Sequence, residues 1–499
     1  MFAQLSTFDA PSVDWFALAP QIILVGAALL IMLITALSAR PVPGWFSTGL
    51  TVIAGVASVI VAMVLWNDVR DEGAYSTVAG AIGVDGFSLF FTVLVSLGLI
   101  ATALVGDSYL RREHMAAPEF HALLLSASTG AIVMASANDL VVMFIGLESL
   151  SIGLYVLAAM QFRRPQGREA AMKYFVLGAF SSAFLLYGIA LVYGSTGSTN
   201  LVVVRDATST LGNLISPNEL LVVGIALLLV GFAFKIAAAP FHFWAPDVYE
   251  GSASPVSGFM ASVAKAAAFA ALLRVIVVAM GANDGDWAIP LAVLSAISII
   301  VGAVMAISQN DVKRMLAFSS VGHAGYVLVG VQTATAEGMS SALFYLFVYT
   351  FMVIGSFAVV SVLGWDGGHP IERYEGLAKR RAWLAGAFTV FLLAQAGVPF
   401  TAGFVAKFLV IKSAVADEVY WLAVLAMVAS VITAFMYLRI VMSMWMRDAD
   451  VDGAPVLSIS PATAFVLAAT VAVTLVYGVV PDSLIEFARD AVPVLVAGG

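Results

Sequence analysis

The chain has 499 residues, of which 62% are hydrophobic and only 11% are charged, and its mean hydropathy is +1.01. A water-soluble protein of this length could not hide so much apolar surface, so the composition predicts a protein that crosses a membrane many times. The formal net charge of −8 says little about partners, because in a membrane protein the positions of the charges matter more than their sum. There is no cysteine, which excludes thiolate-bound iron–sulfur clusters and disulfides within this chain.

Apolar segments of the length needed to cross a bilayer as a helix recur along the whole chain. They predict an all-α polytopic membrane protein with about fourteen transmembrane helices, which we number spans 1 to 14 in chain order. The predicted bounds are 13–37, 45–66, 84–106, 119–137, 139–160, 169–193, 219–241, 255–280, 286–308, 311–331, 338–363, 381–413, 420–446 and 461–480.

The positive charges fall on alternate connections between these spans. If the N-terminus lies outside the cell, the outer connections and the tail hold only Arg70, Arg205 and Arg489. Cytoplasmic connections carry an excess of Lys and Arg, so this pattern predicts that both termini lie on the outer side of the membrane. The cytoplasmic connections then hold Arg40, Arg111, Arg112, Arg163, Arg164, Arg168, Lys313, Arg314, Arg373, Lys379, Arg380, Arg381 and Arg447.

Spans 7 and 12 contain helix-breaking sequences. Span 7 stays apolar past Pro240 in "AAPF" (238–241), and span 12 contains Pro399 in "GVPF" (397–400). A proline removes a backbone hydrogen bond, and irregular backbone at membrane depth is tolerated only where protein or a water-filled cavity covers it. Paired breaks at corresponding places are typical of transporters with inverted repeats and a central site.

The breaks therefore predict two inverted five-helix repeats, with the seventh and twelfth helices broken. The first repeat is formed by spans 4–8 (residues 119–280) and the second by spans 9–13 (residues 281–446). Residues 1–118 hold spans 1 to 3, and residues 447–499 hold span 14 and the C-terminal tail.

The stretch "LVVMFIGLESLSIGLYVLAAM" (140–160) is almost wholly apolar, yet it carries a carboxylate near its middle, Glu148. A charge at this depth costs roughly 2.5–3.5 kcal/mol on insertion scales, and a glutamate side chain is too short to reach water from there. Three lysines are placed in a similar way, since Lys235 and Lys407 lie beside the two breaks and Lys265 lies well inside span 8. We predict a functional role for these four residues.

The remaining basic residues of the spans lie nearer to helix ends. Lys173 is intermediate, about one turn inside span 6. Arg274, Lys412 and Arg439 lie close enough to predicted ends for their long side chains to reach the interface, and we expect them to do so.

One acid and several bases in a row, joined by water at the helix breaks, provide what a proton relay needs. Lysines that are removed from water give up protons more readily than exposed ones. The alternative is a structural salt bridge between Glu148 and a lysine. A buried ion pair is often no more stable than packed apolar groups, however, and one carboxylate cannot neutralise three central lysines.

The histidines leave two interpretations open. His323, in "SSVGHAGY", lies in the middle of span 10 and either relays protons through its two nitrogens or simply bonds a backbone carbonyl. His121 lies near a helix end and is expected to be structural. The five histidines of the chain show no metal-ligand spacing, so no metal site is expected.

Several stretches resemble the antiporter-like membrane subunits of respiratory complex I, the proton-pumping NADH:quinone oxidoreductase. They run through most of the chain in the order found in that family. Within the family the chain looks most like the subunit N branch, the counterpart of mitochondrial subunit 2, because it has lysine at position 407 and ends soon after span 14. The matching stretches are "VDGFSLFF" (84–91), "SANDLVVMFIGLESLSIGLYVLAA" (136–159), "KYFVLGAFSSAFLLYGIALVYG" (173–194), "FKIAAAPFHFWAPDVYEGSASPVSGFMASVAK" (234–265), "QNDVKRMLAFSSVGHAGY" (309–326) and "GVPFTAGFVAKF" (397–408).

The resemblance implies roles for the charged residues of the spans. Glu148 and Lys235 correspond to the pair through which coupling acts. Lys265 corresponds to the central lysine of the eighth span, and Lys407 to the residue that exchanges protons with the outer half-channel. Lys173 corresponds to a lysine near the glutamate.

The resemblance also implies that NADH, FMN, the iron–sulfur clusters and the quinone bind to partner subunits and that this chain holds no cofactor. The expected partners are other complex I subunits, especially neighbouring antiporter-like and small membrane subunits, together with the lipid of a bacterial cytoplasmic (inner) membrane; no nucleic acid is expected.

Two alternative functions stay open. One is a large subunit of a multisubunit Na⁺/H⁺ antiporter, which the core charges do not exclude. The other is a mainly structural module that transmits conformational change, against which the spread of central lysines argues.

Overall fold

The computed structural model describes residues 13–162, 164–211, 219–364, 368–448 and 458–494. Fourteen spans are found in these ranges, so the predicted number is confirmed. Eleven of them are single helices that are long and apolar enough to cross a membrane, and spans 7, 10 and 12 complete the set. The spans are Ala19–Leu37, Gly44–Glu72, Gly86–Arg112, Ala117–Ser136, Leu140–Ala159, Pro165–Thr196, Glu219–Lys235 with Trp244–Gly251, Ser254–Ala279, Asp284–Ile307, Val312–Val331, Ala336–Leu363, Ala382–Ala396 with Ala402–Ala416, Tyr420–Met446 and Pro461–Val479.

Short elements lie in the connections. A two-stranded antiparallel hairpin follows span 2, and its strands are Tyr75–Thr77 and Ile82–Val84. The connections also contain the helices Leu201–Leu211 and Leu377–Arg380 and the 3₁₀ turns Gly281–Asn283 and Ile371–Tyr374, and the helix Asp482–Asp490 follows span 14.

The connection between spans 6 and 7 contains a short helix. This helix, Leu201–Leu211, begins at Asn200, whose side-chain oxygen accepts hydrogen bonds from the backbone N–H groups of residues 202 and 203 at 3.0 and 3.4 Å. An asparagine in this position satisfies donors that a helix start leaves without partners. Residues 212–218 lie outside the described part of the chain.

Connections sort onto two sides of the bundle. The backbone N–H of Asp14 donates to Thr77 Oγ1, after span 2, and the side chain of Asn138, after span 4, donates to the Gly80 carbonyl. We call this the termini side. On the opposite side, which we call the basic side, Arg164 after span 5 forms an ion pair with Glu113 after span 3. The sorting agrees with the alternation of the positive charges.

The two repeats are visible in equivalent local structures. Asp139 caps the start of span 5 by accepting from Val141 N at 2.8 Å, and Asp311 caps the start of span 10 in the same way from Lys313 N at 2.9 Å. Each aspartate also forms a β-bridge with the connection that follows the next span, at Asn200 and Pro370 respectively. The first structure lies on the termini side and the second on the basic side, as expected for inverted repeats.

Facing glycines allow the first two helices of each repeat to pack closely. A Cβ atom on Gly130 in span 4 would lie 2.7 Å from the Gly146 carbonyl oxygen in span 5. A Cβ atom on Gly302 in span 9 would lie 2.4 Å from the Gly322 nitrogen in span 10. Small residues permit this approach of backbones in membranes, where apolar burial does not drive helices together.

The expectation that Arg274 reaches the interface is wrong. Its side chain is 1% exposed, and its Nη2 atom lies 2.8 and 3.0 Å from the two carboxylate oxygens of Asp85, which is also 1% exposed. The guanidinium carbon lies 4.9 Å from the centre of the Phe87 ring. The chain after span 14 covers this pair, since Arg274 Nη1 also donates to the Val494 carbonyl at 3.4 Å. Contacts from distant segments of the chain thus bury Arg274, although it lies near the end of its span.

Lys412 and Arg439 do lie at the ends of their spans. Lys412 is 56% exposed and pairs with Glu337 at 2.7 Å. Arg439 donates to the Ile307 carbonyl at 2.6 Å, at the end of span 9.

Replacing Arg274 by methionine is expected to destabilise the protein strongly, because Asp85 would keep a buried charge without a partner. The expected loss is about 3–5 kcal/mol of folding free energy. Lys412→Met, which breaks an exposed ion pair, is the matched control, with an expected loss of about 0–1 kcal/mol. Thermal unfolding of the purified protein measures both. Equal, small losses in the two variants would contradict the structural role of the Asp85–Arg274 pair.

Candidate functional site

Lys407 binds the end of the first half of span 12. It lies in the second half and is 5% exposed. Its Nζ atom donates to the Ala396 carbonyl and to Ser430 Oγ, both at 2.9 Å, and lies 4.7 Å from the centre of the Tyr326 ring. The last carbonyls of a helix lack backbone partners and carry partial negative charge, so an ammonium group is stabilised there.

Gly397 lets the chain turn at this break. Its φ of +91° lies in a region that side chains rarely adopt, and a Cβ atom here would lie 3.0 Å from Lys407 Cδ. A glycine is therefore needed here for two reasons: the turn requires a positive φ, and Lys407 occupies the space that a side chain would need.

Lys235 is the last residue of the first half of span 7, so the second break carries a lysine as well. The chain continues through Ala237, with φ of +57°, and a cis Ala239–Pro240 peptide bond. The side chain of Lys235 is 7% exposed. Its Nζ atom donates to Ser151 Oγ in span 5 at 2.6 Å and lies 5.8 Å from the centre of the Tyr174 ring.

Glu148 accepts a hydrogen bond from the hydroxyl of Ser182 in span 6. Among the described residues it forms no ion pair with a lysine, so the structural salt bridge considered from the sequence is not formed in this conformation. A cavity of about 10 Å³, the size of a single water site, lies between spans 5, 6 and 7. Ser182, Ser151 and Lys235 line it, and it connects the partner of Glu148 with the partner of Lys235.

Lys265 follows a π-helical turn, Met260–Ala264, within span 8. It is 2% exposed, and its Nζ atom donates to the carbonyl and the hydroxyl of Ser320 in span 10 at 2.6 and 2.5 Å. Wide turns of this kind inside α-helices occur frequently at functional sites.

His323 binds hydroxyl groups and not a backbone carbonyl. Its Nδ1 atom lies 2.7 Å from Tyr345 Oη, and its Nε2 atom lies 3.1 Å from Tyr437 Oη. The Tyr437 hydroxyl in turn bonds Ser319 Oγ. Both ring nitrogens therefore have partners that donate as well as accept, which is the arrangement that a relay requires.

Aromatic residues connect His323 with the lysines on either side. Towards Lys407, the Tyr345 ring stacks on the Tyr326 ring at 6.5 Å between centres. Towards Lys265, the Tyr349 ring lies 4.7 Å from the imidazole, and its hydroxyl approaches Ser320. Polar and aromatic groups thus follow one another from Lys265 to Lys407, although the Tyr349 hydroxyl has no hydrogen-bond partner among the described residues and Tyr326 meets Tyr345 by ring stacking.

Lys173 lies apart from this row. It is 41% exposed and forms ion pairs with Asp247 at 2.5 Å and with Glu169 at 2.7 Å. Asp247 is shared with Arg314, whose Nη1 lies 2.8 Å away. The structure therefore places Lys173 in a partly exposed ionic cluster and not in contact with Glu148.

His121 is structural in its contacts. It is fully buried, and its two nitrogens lie 3.0 Å from Thr48 Oγ1 and 3.2 Å from Thr51 Oγ1. In the part of the chain that the structure describes, no group of three or more His, Cys, Asp or Glu side chains is arranged to hold a metal ion.

Sequence reasoning missed the hydroxyl groups that connect the charges, because it followed only ionisable residues. Serines and tyrosines are common in apolar helices, so their presence alone carries little signal. The pair Ser319–Ser320, which two residues separate from His323 in the sequence, is the one local hint. The missed residues that touch the site are Ser151, Ser182, Ser319, Ser320, Tyr345, Tyr349, Ser430 and Tyr437.

In sequence, the chain is similar to membrane subunits of NADH:quinone oxidoreductases. Residues 137–433 match a family model described as NADH:quinone oxidoreductase/Mrp antiporter, transmembrane. The chain is 38% identical to NADH-quinone oxidoreductase subunit N of Trichlorobacter lovleyi, covering 95% of this chain and 96% of that protein. It is 39% identical to the subunit N of Salinispora arenicola, covering 98% and 99% of the two chains.

Solved structures show the same fold. A chain of respiratory complex I from Thermus thermophilus with bound aureothin is 34% identical, with a TM-score of 0.79 and coverage of 96% of this chain and 100% of that one. A chain of the Mrp complex from Dietzia is 21% identical, with a TM-score of 0.83 and coverage of 97% and 98%. The second likeness concerns the fold alone.

Gly397→Ala is expected to destabilise the protein by about 1–2 kcal/mol, because alanine disfavours a positive φ, and to push Lys407 away from the Ala396 carbonyl. The matched control is Gly386→Ala in the same half-helix, where a Cβ atom meets nothing within 4 Å. That change is expected to be neutral or stabilising, because alanine is the better helix former. Thermal unfolding of both variants measures the difference. Equal effects in the two variants would contradict the fit between the break and the lysine.

Proposed function

Since this chain belongs to the subunit N family of NADH-quinone oxidoreductases, within the wider family shared with Mrp antiporter proteins, we propose that its buried polar row carries protons across the membrane. The row consists of Glu148, Lys235, Lys265, His323 and Lys407. The chain is the proton-translocating, non-redox membrane subunit of an enzyme complex, and other subunits of that complex are its partners. NADH, FMN, the iron–sulfur clusters and the quinone are assigned to those partners, in keeping with the absence of cysteine here.

One observation carries the proposal: in the described part of the chain, the three lysines of the row donate hydrogen bonds only to neutral oxygen atoms. Lys235 donates to a hydroxyl, Lys265 to a hydroxyl and a carbonyl, and Lys407 to a hydroxyl and a carbonyl. A carboxylate partner would hold each proton in place, whereas neutral oxygens solvate an ammonium group and still let it release the proton.

The first step is electrostatic. Ser151, which holds Lys235, lies one helical turn from Glu148 in span 5. When Lys235 moves across the small cavity towards Glu148, its charge moves away from span 8, which packs against the first half of span 7. Lys265 then holds a proton more firmly. When Lys235 returns to Ser151, repulsion between the two positive charges favours release of the proton from Lys265.

The second step is transfer along hydrogen bonds. The proton passes from Lys265 Nζ to Ser320 and then, through the hydroxyl groups around His323, to the imidazole, which accepts it on one nitrogen and releases another from the opposite nitrogen. Lys407 receives it at the break of span 12. From there it leaves to the opposite side of the membrane.

We also propose a membrane and an orientation for the chain. A chain of this family in a bacterium lies in the cytoplasmic (inner) membrane. The excess of Arg and Lys on the basic side supports a cytoplasmic location for that side and a periplasmic location for both termini. The equivalent caps at Asp139 and Asp311 support the proposed division into repeats at residues 119–280 and 281–446.

Lys173 is proposed to act at the entrance. Its cluster with Glu169, Asp247 and Arg314 is partly exposed on the basic side, where it is placed to collect protons from water.

The Na⁺/H⁺ antiporter alternative is weaker, because the relatives that cover nearly the whole chain at 38–39% identity are oxidoreductase subunits.

Lys265→Met is expected to reduce NADH-driven proton pumping sharply while the complex still assembles, because the methionine fills the space but carries no proton. Lys412→Met removes a lysine from an exposed pair and serves as the control, with pumping retained. Acidification of inverted membrane vesicles after addition of NADH measures both variants. Full pumping in Lys265→Met would overturn the proposed function.

A further inference from the structure

Lys313 is a buried lysine that the relay described above does not use. By sequence it belongs to a basic connection, but its side chain is 0% exposed at the start of span 10. Its Nζ atom donates to the carbonyls of Ser252 at 2.6 Å and Glu250 at 3.1 Å. These carbonyls end the second half of broken span 7.

The same chemistry surrounds Lys407. There, a lysine from the second half of span 12 donates to the last carbonyl of the first half of the same span. The neighbour of Lys313, Arg314, is 30% exposed and binds the carboxylates of Asp247 and Glu250. The arginine therefore forms ion pairs at the partly exposed surface, whereas the side chain of Lys313 is buried against the two carbonyls.

Polar groups continue from Lys313 towards Lys265. The hydroxyls of Ser252 and Tyr249 are buried and have no hydrogen-bond partner among the described residues. The Tyr249 hydroxyl approaches Ser320, to which Lys265 is bonded. Lys313 and Ser320 are seven residues apart in span 10, roughly 10 Å along the helix. Buried hydroxyls without protein partners are the groups that bind internal water.

A route also runs outward from Lys313. Its partner carbonyl belongs to Glu250, whose carboxylate is 28% exposed and lies 2.7 Å from Arg314. Water on the basic side thus reaches a residue in direct contact with Lys313.

We propose that Lys313 loads the relay: its amine takes a proton from the basic side and passes it through the hydroxyls of Ser252 and Tyr249 to Lys265. The proton binds the lone pair of Lys313 Nζ. It then leaves for a hydroxyl oxygen as that hydroxyl releases its own proton towards the Lys265 amine, which becomes an ammonium group. Lys313 is neutral again and no other bond changes. The inference rests on the proposed function, because it requires that Lys265 carry protons.

The first test replaces Lys313 by arginine, which keeps the positive charge and the donors to the two carbonyls but does not deprotonate. In assembled complexes, pumping is expected to fall to the level of Lys265→Met. Normal pumping in Lys313→Arg would show that the residue only binds the helix end, and it would overturn the loading role. If Lys265→Met also pumps normally, the proposed function itself fails; if Lys265→Met does not pump, only the loading role fails.

The second test uses the absence of cysteine in the chain. Ser252→Cys is treated in the assembled complex with 2-aminoethyl methanethiosulfonate, added from the basic side of membrane vesicles, and the mass of this chain is measured. The control is Ser128→Cys in span 4, which is also 0% exposed and whose hydroxyl bonds its own helix at Leu124. Labelling of Ser252→Cys alone is expected. Failure to label it, or equal labelling of both variants, would overturn the route.

Discussion

The structure depends on how backbone carbonyls are satisfied where a helix breaks inside the membrane. A break leaves carbonyls without partners, and lipid offers no hydrogen bonds to replace them. At the break of span 12, the ammonium group of Lys407 supplies one, and Gly397 allows the turn that brings the two together. At the end of span 7, Lys313 supplies another. A buried ammonium group and a buried carbonyl without a hydrogen-bond partner would each cost free energy alone. Bonded to each other, the two groups reduce both costs.

This arrangement also explains why the row contains more bases than acids. Carbonyls and hydroxyls solvate each ammonium group without neutralising it, so the charge stays responsive to its neighbours. The one carboxylate, Glu148, stands at the other end, bonded to Ser182 and separated from Lys235 by a small cavity. By contrast, the Asp85–Arg274 pair is a direct, fully buried ion pair, and its contacts tie span 3 to span 8. Buried charge thus occurs here in two forms: a direct ion pair that ties two helices together, and ammonium groups bonded to neutral oxygens, which we propose carry protons.

The sequence predicted the fourteen spans, both breaks and the buried lysines beside them, because apolar length, proline and a charge at membrane depth are local signals. It did not predict the burial of Arg274 or Lys313. Both lie near helix ends, and the segments that bury them come from distant parts of the chain, around Val494 and Ser252 respectively. The hydroxyl partners of His323 were missed for the same reason: Tyr345 and Tyr437 belong to spans 11 and 13, and only packing brings them to span 10.

The central claim is that protons cross the second repeat through hydrogen-bonded groups around His323. The most direct measurement is the number of protons pumped per NADH oxidised by the complex reconstituted in liposomes, with Tyr437→Phe compared with the unchanged protein. This variant removes one hydroxyl, which bonds both His323 and Ser319, and leaves the ring in place. The account predicts a lower proton-to-NADH ratio with the intrinsic redox activity intact. An unchanged ratio would contradict it.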